Sequence, residues 1–381
     1  MFGVVAAATV KARNANGNVR MSLQTGYLLI ADITGYTGYL TRSELEHANP
    51  IVRSLLEAIV SELKDPMKLR GLEGDAVLAY SSGPFPSGET FLNICESLYR
   101  AFAERRRNIV QNTTCPCNAC RNVADLDLKI LAHYGKFEEL SIGPMKDISG
   151  ADVILVHRMA KTDVKKDTGI RSYALFSEDA FQAMGINSEL MQYSAQFEHF
   201  GDVPMRVYDL AAAWQRYREI VGPVRVADED AVFTTRHLLK VPPAVAWEML
   251  TDPRLKMRWM MLKDAYREGD ASRTYAGVRL HCVHEAAHFQ MLIVDWKPFE
   301  YVTDILHNSS IEGLTNLETY ELVPVEDGTE VVFRMGQLTD TEGKHYPAEE
   351  SSVIDLFENF YPVAFGILDD MALEFHHKKH E

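Results

Sequence analysis

Apolar positions fall into runs whose period changes along the chain, and the changes mark the elements. Residues 26–34 form an apolar run that passes into Gly35-Tyr36-Thr37, which reads as a buried strand followed by a helical start. Ile51, Leu55, Ile59 and Leu63 recur at helical spacing, with Asn49-Pro50 as the expected start of that helix. Residues 67–72 and 76–80 read as two strands of a hairpin turning at Gly74-Asp75. Phe91, Ile94, Leu98 and Phe102 stripe a long helix over 88–110. A strand over 126–135, a helix over 150–161 and strands near 171–176 and 203–210 complete the first pattern. This order of elements predicts an α+β sandwich with one sheet covered by helices.

Residues 211–225 change character and read as a helical linker that ends at Gly222-Pro223. A second pattern follows: a strand over 232–241, a helix opening at Pro242-Pro243, and a turn at Asp252-Pro253. Strands are expected over 278–284, 287–296, 300–307, 315–323 and 330–336. From about 350 an apolar stripe through Val353, Phe357, Phe360, Ala364 and Leu368 predicts a long terminal helix, with Pro362 expected to kink it. The expected organisation is a loose extension over 1–24, one domain over 25–210, the linker over 211–225 and a second domain over 226–381.

Composition narrows the function classes. The chain has 381 residues, 46% hydrophobic and 24% charged, which is ordinary for a globular protein of more than one domain. Its formal net charge of −15 argues against broad nucleic-acid binding, which needs a basic surface. No run approaches the roughly 18 apolar residues of a membrane span. The N-terminus lacks the early basic region of a signal peptide, and five cysteines, three of them clustered, do not make a disulfide framework. Both points suggest a reduced, cytoplasmic protein.

The candidate chemistry begins with two carboxylates at strand ends. Asp32 lies in Ala31-Asp32-Ile33-Thr34-Gly35-Tyr36-Thr37, and Asp75 follows Gly74 at the hairpin turn. A lone Asp at such a turn is ordinarily a cap or turn residue. With Arg158-Met159 on a later helix, these motifs resemble the class III nucleotide cyclase catalytic domain over about residues 25–210. The resemblance implies a ferredoxin-like sandwich, a homodimer with its sites between two subunits, and turnover of a nucleoside triphosphate to a cyclic nucleotide. It implies that Asp32, Ile33 and Asp75 hold Mg²⁺ or Mn²⁺, which can activate a 3′-hydroxyl and stabilise departing pyrophosphate. It places Thr34, Gly35, Tyr36 and Thr37 at the phosphates, Asp147 at the base, and Arg158 on the transferred phosphoryl group. Two positions depart from the family. Gly71 stands where a base-reading Lys or Glu is usual, and Ile154 stands where a transition-state Asn is usual. Lys68 and Arg70 are near, but strand alternation puts them on the face opposite position 71.

Cys115, Cys117 and Cys120 form a C-x-C-x₂-C loop. Three thiolates can grip zinc with a fourth ligand from elsewhere, His133 or a dimer partner being candidates. The loop can also be a redox pair or an exposed turn of reduced thiols.

Residues 226–381 resemble the START/polyketide-cyclase-like (SRPBCC) helix-grip fold, on Val241-Pro242-Pro243-Ala244-Val245-Ala246-Trp247, the Asp252-Pro253 turn with Trp259, Val294-Asp295-Trp296-Lys297-Pro298-Phe299 and the terminal helix. The resemblance implies an apolar cavity for a hydrophobic small molecule or lipid. Met257, Trp259, Met260, Met261, Phe289, Met291, Phe357 and Phe365 are candidate lining residues, or simply core. His281, His284 and His288 read as structural or surface residues, because strand alternation separates His281 from His284. The whole chain then reads as a signalling protein, or as a non-catalytic nucleotide- or lipid-sensing dimer.

Overall fold

The computed structural model describes residues 22–83, 88–142, 145–186, 190–220, 224–269, 274–284, 287–308, 311 and 313–378. Residues 1–21, most of the expected extension, lie outside that set, as do Gly222 and Pro223 of the linker. The chain divides into two compact units, Met1–Trp214 and Gln215–Glu381.

The first unit runs β1 (Ser22–Thr34), α1 (Tyr36–Thr41), α2 (Leu45–Ser61), β2 (Met67–Glu73), β3 (Ala76–Ser81), α3 (Gly88–Asn112), α4 (Asn118–Asn122), a 3₁₀ turn (Val123–Asp125), β4 (Asp127–Ile142), β5 (Met145–Ser149), α5 (Ala151–Met159), α6 (Val164–Thr168), β6 (Tyr173–Ser177), α7 (Glu178–Met184), β7 (Met191–Phe197), β8 (Gly201–Asp209) and α8 (Leu210–Ile220), the last crossing the division between units. The strand order is β2-β3-β1-β4-β6-β8-β7, with β5 paired to β4. Strand β1 is antiparallel to both β3 and β4, and helices separate β1 from β2 and β3 from β4. That is the split βαβ arrangement of a ferredoxin-like sandwich.

The central strand is apolar on both faces because both are covered. Leu28 and Ile30 join a core with Leu131, Val153, Val156 and Leu175, while on the other face Tyr27 stacks on Phe91 of α3 at 4.0 Å. Helix α5 lies close on β4 because Gly135 has no side chain: a Cβ there would collide with the Asp152 carboxylate, which accepts from the Lys136 N–H at 2.6 Å.

Three expectations about this unit change. Strand β1 begins at Ser22, not at residue 26, because Ser22–Thr25 pair with Lys136–Glu139 of the long strand β4. Helix α2 begins at Leu45, so Pro50 lies inside it instead of opening it. Pro50 is exposed, and only the Glu46 carbonyl loses its helical donor there. Strands β5 and β7 and helix α7 were not legible: β7 is exposed at alternate positions and packs only one face, so its apolar signal is thin.

The second unit runs β9 (Phe233–Leu239), α9 (Pro243–Thr251), α10 (Pro253–Trp259), β10 (Asp264–Arg267), β11 (Arg279–Val283), β12 (His288–Lys297), β13 (Tyr301–Asn308), β14 (Thr315–Val325), β15 (Gly328–Met335) and α11 (Pro347–Lys378). Its seven antiparallel strands are ordered β10-β11-β12-β13-β14-β15-β9. Helix α11 is continuous through Pro362. Its Phe357, Tyr361 and Phe365 pack on Phe233, Phe333 and Trp259, and the Tyr361 and Tyr320 hydroxyls share a 2.7 Å hydrogen bond. Buried Asp295 accepts from the Tyr217 hydroxyl, the Tyr301 hydroxyl and the Val224 N–H, all of them within this unit.

Candidate functional site

Asp32 and Asp75 converge. Asp32 pairs in register with Ala76, the residue after Asp75, and the Ile33 N–H donates to the Asp75 carbonyl at 3.3 Å. Burial, and after it the charge of neighbouring Asp32 and a hydrogen bond shared with it, together raise the Asp75 carboxyl to about 6. Like charges forced this close hold a proton or a cation between them. Lys129 of β4 supplies one positive charge: its Nζ lies 3.2 Å from Asp32 Oδ2 and donates to the Ala160 carbonyl at 2.9 Å. That lysine ties Asp32 to the C-terminal end of α5, two residues beyond Arg158.

Arg158 is half-buried near the end of α5, and among the described residues its guanidinium has no ion pair or hydrogen bond. Ile33 is buried in β1. Thr34 ends the strand, and among the described residues its buried Oγ1 has no hydrogen-bond partner. Gly35 then turns the chain with φ of +89°, a conformation that suits glycine, and no side chain caps the short helix that Tyr36 and Thr37 open. The oxygen donors of Asp32 and Asp75 and the unpartnered Thr34 hydroxyl fit a hard divalent cation, which takes oxygen ligands.

The strand around Gly71, the position expected to read the base, is rearranged. A β-bulge between Leu69 and Gly71 inserts Arg70 as an extra residue against β3, so simple alternation fails there. Arg70 pairs with Asp147 and donates to Glu73 at 2.6 Å. The arginine hydrogen bond holds the Asp147 carboxyl below its usual range. Gly71 faces open space, and Ile154 is 54% exposed on α5.

The cysteine loop meets a residue the sequence reading did not select. His47 Nδ1 lies 3.1 Å from Cys117 Sγ, 3.5 Å from Cys115 Sγ and 4.0 Å from Cys120 Sγ. His133, the intramolecular candidate, is elsewhere: buried in β4, it bonds Ser177 Oγ at 2.7 Å and lies 3.4 Å from Asp152 Oδ1. Glu44, just before the start of α2, accepts from the Ala119 N–H at 3.0 Å and holds this loop beside His47.

The second unit holds its own buried charges. Asp304 and Glu318 are directly opposite on β13 and β14, and Lys256 of α10 is buried beside them. Burial pushes Asp304 up to about 7 and Glu318 up to about 8, while the lysine opposes both shifts. Lys256 Nζ also sits 5.3 Å over the Tyr320 ring. Of the candidate lining residues, Trp259, Met291 and Phe365 are buried, but Met261 is 47% exposed and does not line the interior. His281 meets His288 across the β11–β12 pair at 2.9 Å, and Tyr266 stacks on His281.

A profile for a family described as a protein of unknown function (DUF2652) matches residues 52–168. Over 164 residues the chain is 29% identical to the uncharacterized protein Rv2561/Rv2562 of Mycobacterium tuberculosis (strain ATCC 25618 / H37Rv), covering 42% of this chain and 73% of that protein. It is similar to the guanylyl cyclase Cya2 at 13% identity and a TM-score of 0.40, over 49% of this chain and 91% of that one. It is also similar to the adenylyl cyclase CyaB from P. aeruginosa at 14% identity and a TM-score of 0.38, over 50% of this chain and 97% of that one. Likenesses of this size leave function to be argued from the site. Among the described residues, no helix is long and apolar enough to cross a membrane.

Proposed function

We propose that the first unit is a class III cyclase-type domain that binds a nucleoside triphosphate with two divalent cations and acts as a homodimer. The convergence of Asp32 and Asp75, with Lys129 linking Asp32 to the Arg158 end of α5, carries this reading. Asp32 and Asp75, with the Ile33 backbone, would hold Mg²⁺ or Mn²⁺, which when bound supplies Lewis-acid stabilisation of phosphate oxygens. The Thr34–Thr37 backbone would orient the phosphates, and Arg158 would balance charge on the transferred group. The second unit is read as a START-like helix-grip domain that binds a hydrophobic small molecule or lipid and biases the dimer. Its antiparallel sheet and long terminal helix support that assignment. The chain is read as a cytoplasmic signalling protein.

Incubating the full chain with each of the four triphosphates and Mn²⁺ tests turnover. A cyclic product that disappears in Asp75→Asn is the expected result, and no product from any triphosphate ends the enzyme reading. A second reading, a non-catalytic nucleotide- or lipid-sensing dimer, is favoured by Gly71, by apolar Ile154 and by Arg70 being engaged with Asp147. Thermal stabilisation by ATP or GTP with Mn²⁺, without product, selects it, since ligand bound only to the folded state raises stability.

A further inference from the structure

We propose that His47, Cys115, Cys117 and Cys120 bind one structural zinc ion, with the imidazole as the fourth ligand. Their ligand atoms all lie within 4.8 Å of one another. Tetrahedral zinc with Zn–S near 2.3 Å and Zn–N near 2.0–2.1 Å puts nitrogen and sulfur about 3.6 Å apart. The three observed separations, 3.1, 3.5 and 4.0 Å, bracket that value. An imidazole Nδ1 offers one hydrogen or one lone pair, so it serves one sulfur, whereas here three surround it.

The local structure also fits a metal staple. The three cysteines carry no disulfide and are only partly buried, and His47 is exposed, so none of the four is held by a core. Between Thr113 and Asn122 only Ala119 is buried. A segment with so little apolar burial needs another constraint, and metal binding supplies one directly as folding free energy. The surroundings are arranged for it. The Cys120 N–H donates to Cys117 Sγ at 3.4 Å, the kind of outer hydrogen bond that orients a thiolate ligand. Glu44 Oε1 accepts from Asn118 Nδ2 at 3.2 Å and its Oε2 from the Ala119 N–H, locking α4 to the start of α2 one turn from His47.

Three thiolates and an imidazole are soft donors that select zinc, whereas the oxygen donors at Asp32 and Asp75 suit magnesium or manganese. The two sites are therefore chemically distinct. They are also structurally adjacent. The Tyr39 hydroxyl donates to the Ala119 carbonyl at 3.0 Å, and the Cβ that Gly35 lacks would lie 3.2 Å from the Asp125 carbonyl. Zinc would thus fix the platform on which the turn after Asp32 rests. The zinc assignment itself does not depend on the cyclase reading.

The test is metal analysis of the full chain, expressed with zinc and purified without chelator. One zinc per chain is expected, and it should persist in Asp75→Asn. Cobalt substitution should give the visible bands of a tetrahedral site together with thiolate-to-cobalt charge transfer. His47→Ala should weaken retention against a competing chelator, and His47→Cys, which restores four soft ligands, should recover it. No zinc in the wild-type chain overturns the proposal, as does a disulfide among Cys115, Cys117 and Cys120 in freshly purified protein. Retention in His47→Ala equal to wild type overturns the assignment of His47. Should a variant fail to fold, the wild-type stoichiometry and the cobalt spectrum still decide.

Discussion

Both units bring two carboxyls and one lysine together at neighbouring strands, their turns or an adjacent helix, and the outcomes differ. In the first unit Asp32 and Asp75 sit at strand ends, with 22% of the Asp32 side chain and 17% of the Lys129 side chain open to solvent. In the second, Asp304, Glu318 and Lys256 are 1%, 3% and 3% exposed. An open carboxylate pair can exchange its proton for a hydrated cation. A sealed pair cannot admit one, so burial drives its carboxyls toward the neutral form and the lysine supplies the remaining charge. The same residue types thus make a candidate ligand site in one unit and a closed polar core in the other, and solvent access decides which.

The comparison breaks most sharply at Asp75. Asp75→Asn keeps the shape of the hairpin but halves the anionic pair, and is expected to abolish both triphosphate turnover and Mn²⁺-dependent thermal stabilisation. Unchanged Mn²⁺ stabilisation would show that the open pair is not a cation site. Arg158→Ala removes one positive group from the developing charge and should lower turnover by about 10²–10³ while leaving Mn²⁺ stabilisation intact. Steady-state rates set beside melting curves separate the two effects. Lys256→Met strips the sealed pair of its cation and should destabilise the chain by about 3 kcal/mol in a denaturant titration. A neutral result would place the pair in contact with water.

The smallest effect expected is a pH slope. Asp304 and Glu318 titrate higher in the folded chain than in the unfolded one. From about pH 4 up to those folded values the folded state therefore holds protons that the unfolded state releases, and stability falls as pH rises. Glu318→Gln should flatten the decline in melting temperature toward pH 8. A slope as steep as that of the wild type would locate the titration elsewhere.

Elements with strong local period were legible in the residues. The apolar run of β1, the stripes of α2 and α3, the hairpin at Gly74-Asp75 and the terminal helix all follow from repeats of two or about 3.6 residues. The cysteine loop was legible as candidate chemistry because its spacing is short, and Asp32 and Asp75 because each lies in a short motif at a turn. Errors gathered where a single backbone event changes the outcome. Taking Pro50 as a helix start removed His47 from view, although the helix begins five residues earlier. Assuming unbroken alternation put Arg70 on the face opposite position 71, although a one-residue bulge interrupts the alternation there and Arg70 pairs with Asp147.

What the sequence determined by itself is therefore local: which segments form strands and helices, and which turns carry acidic or thiol groups. The tertiary structure decided the partners. His47 meets Cys117 across 70 residues and Arg70 meets Asp147 across 77, while Asp304 faces Glu318 only because β13 and β14 share that register. Periodicity reports geometry within a few residues of chain. Which distant groups touch depends on strand register, bulges and helix starts, where a shift of one residue turns a side chain to the opposite face.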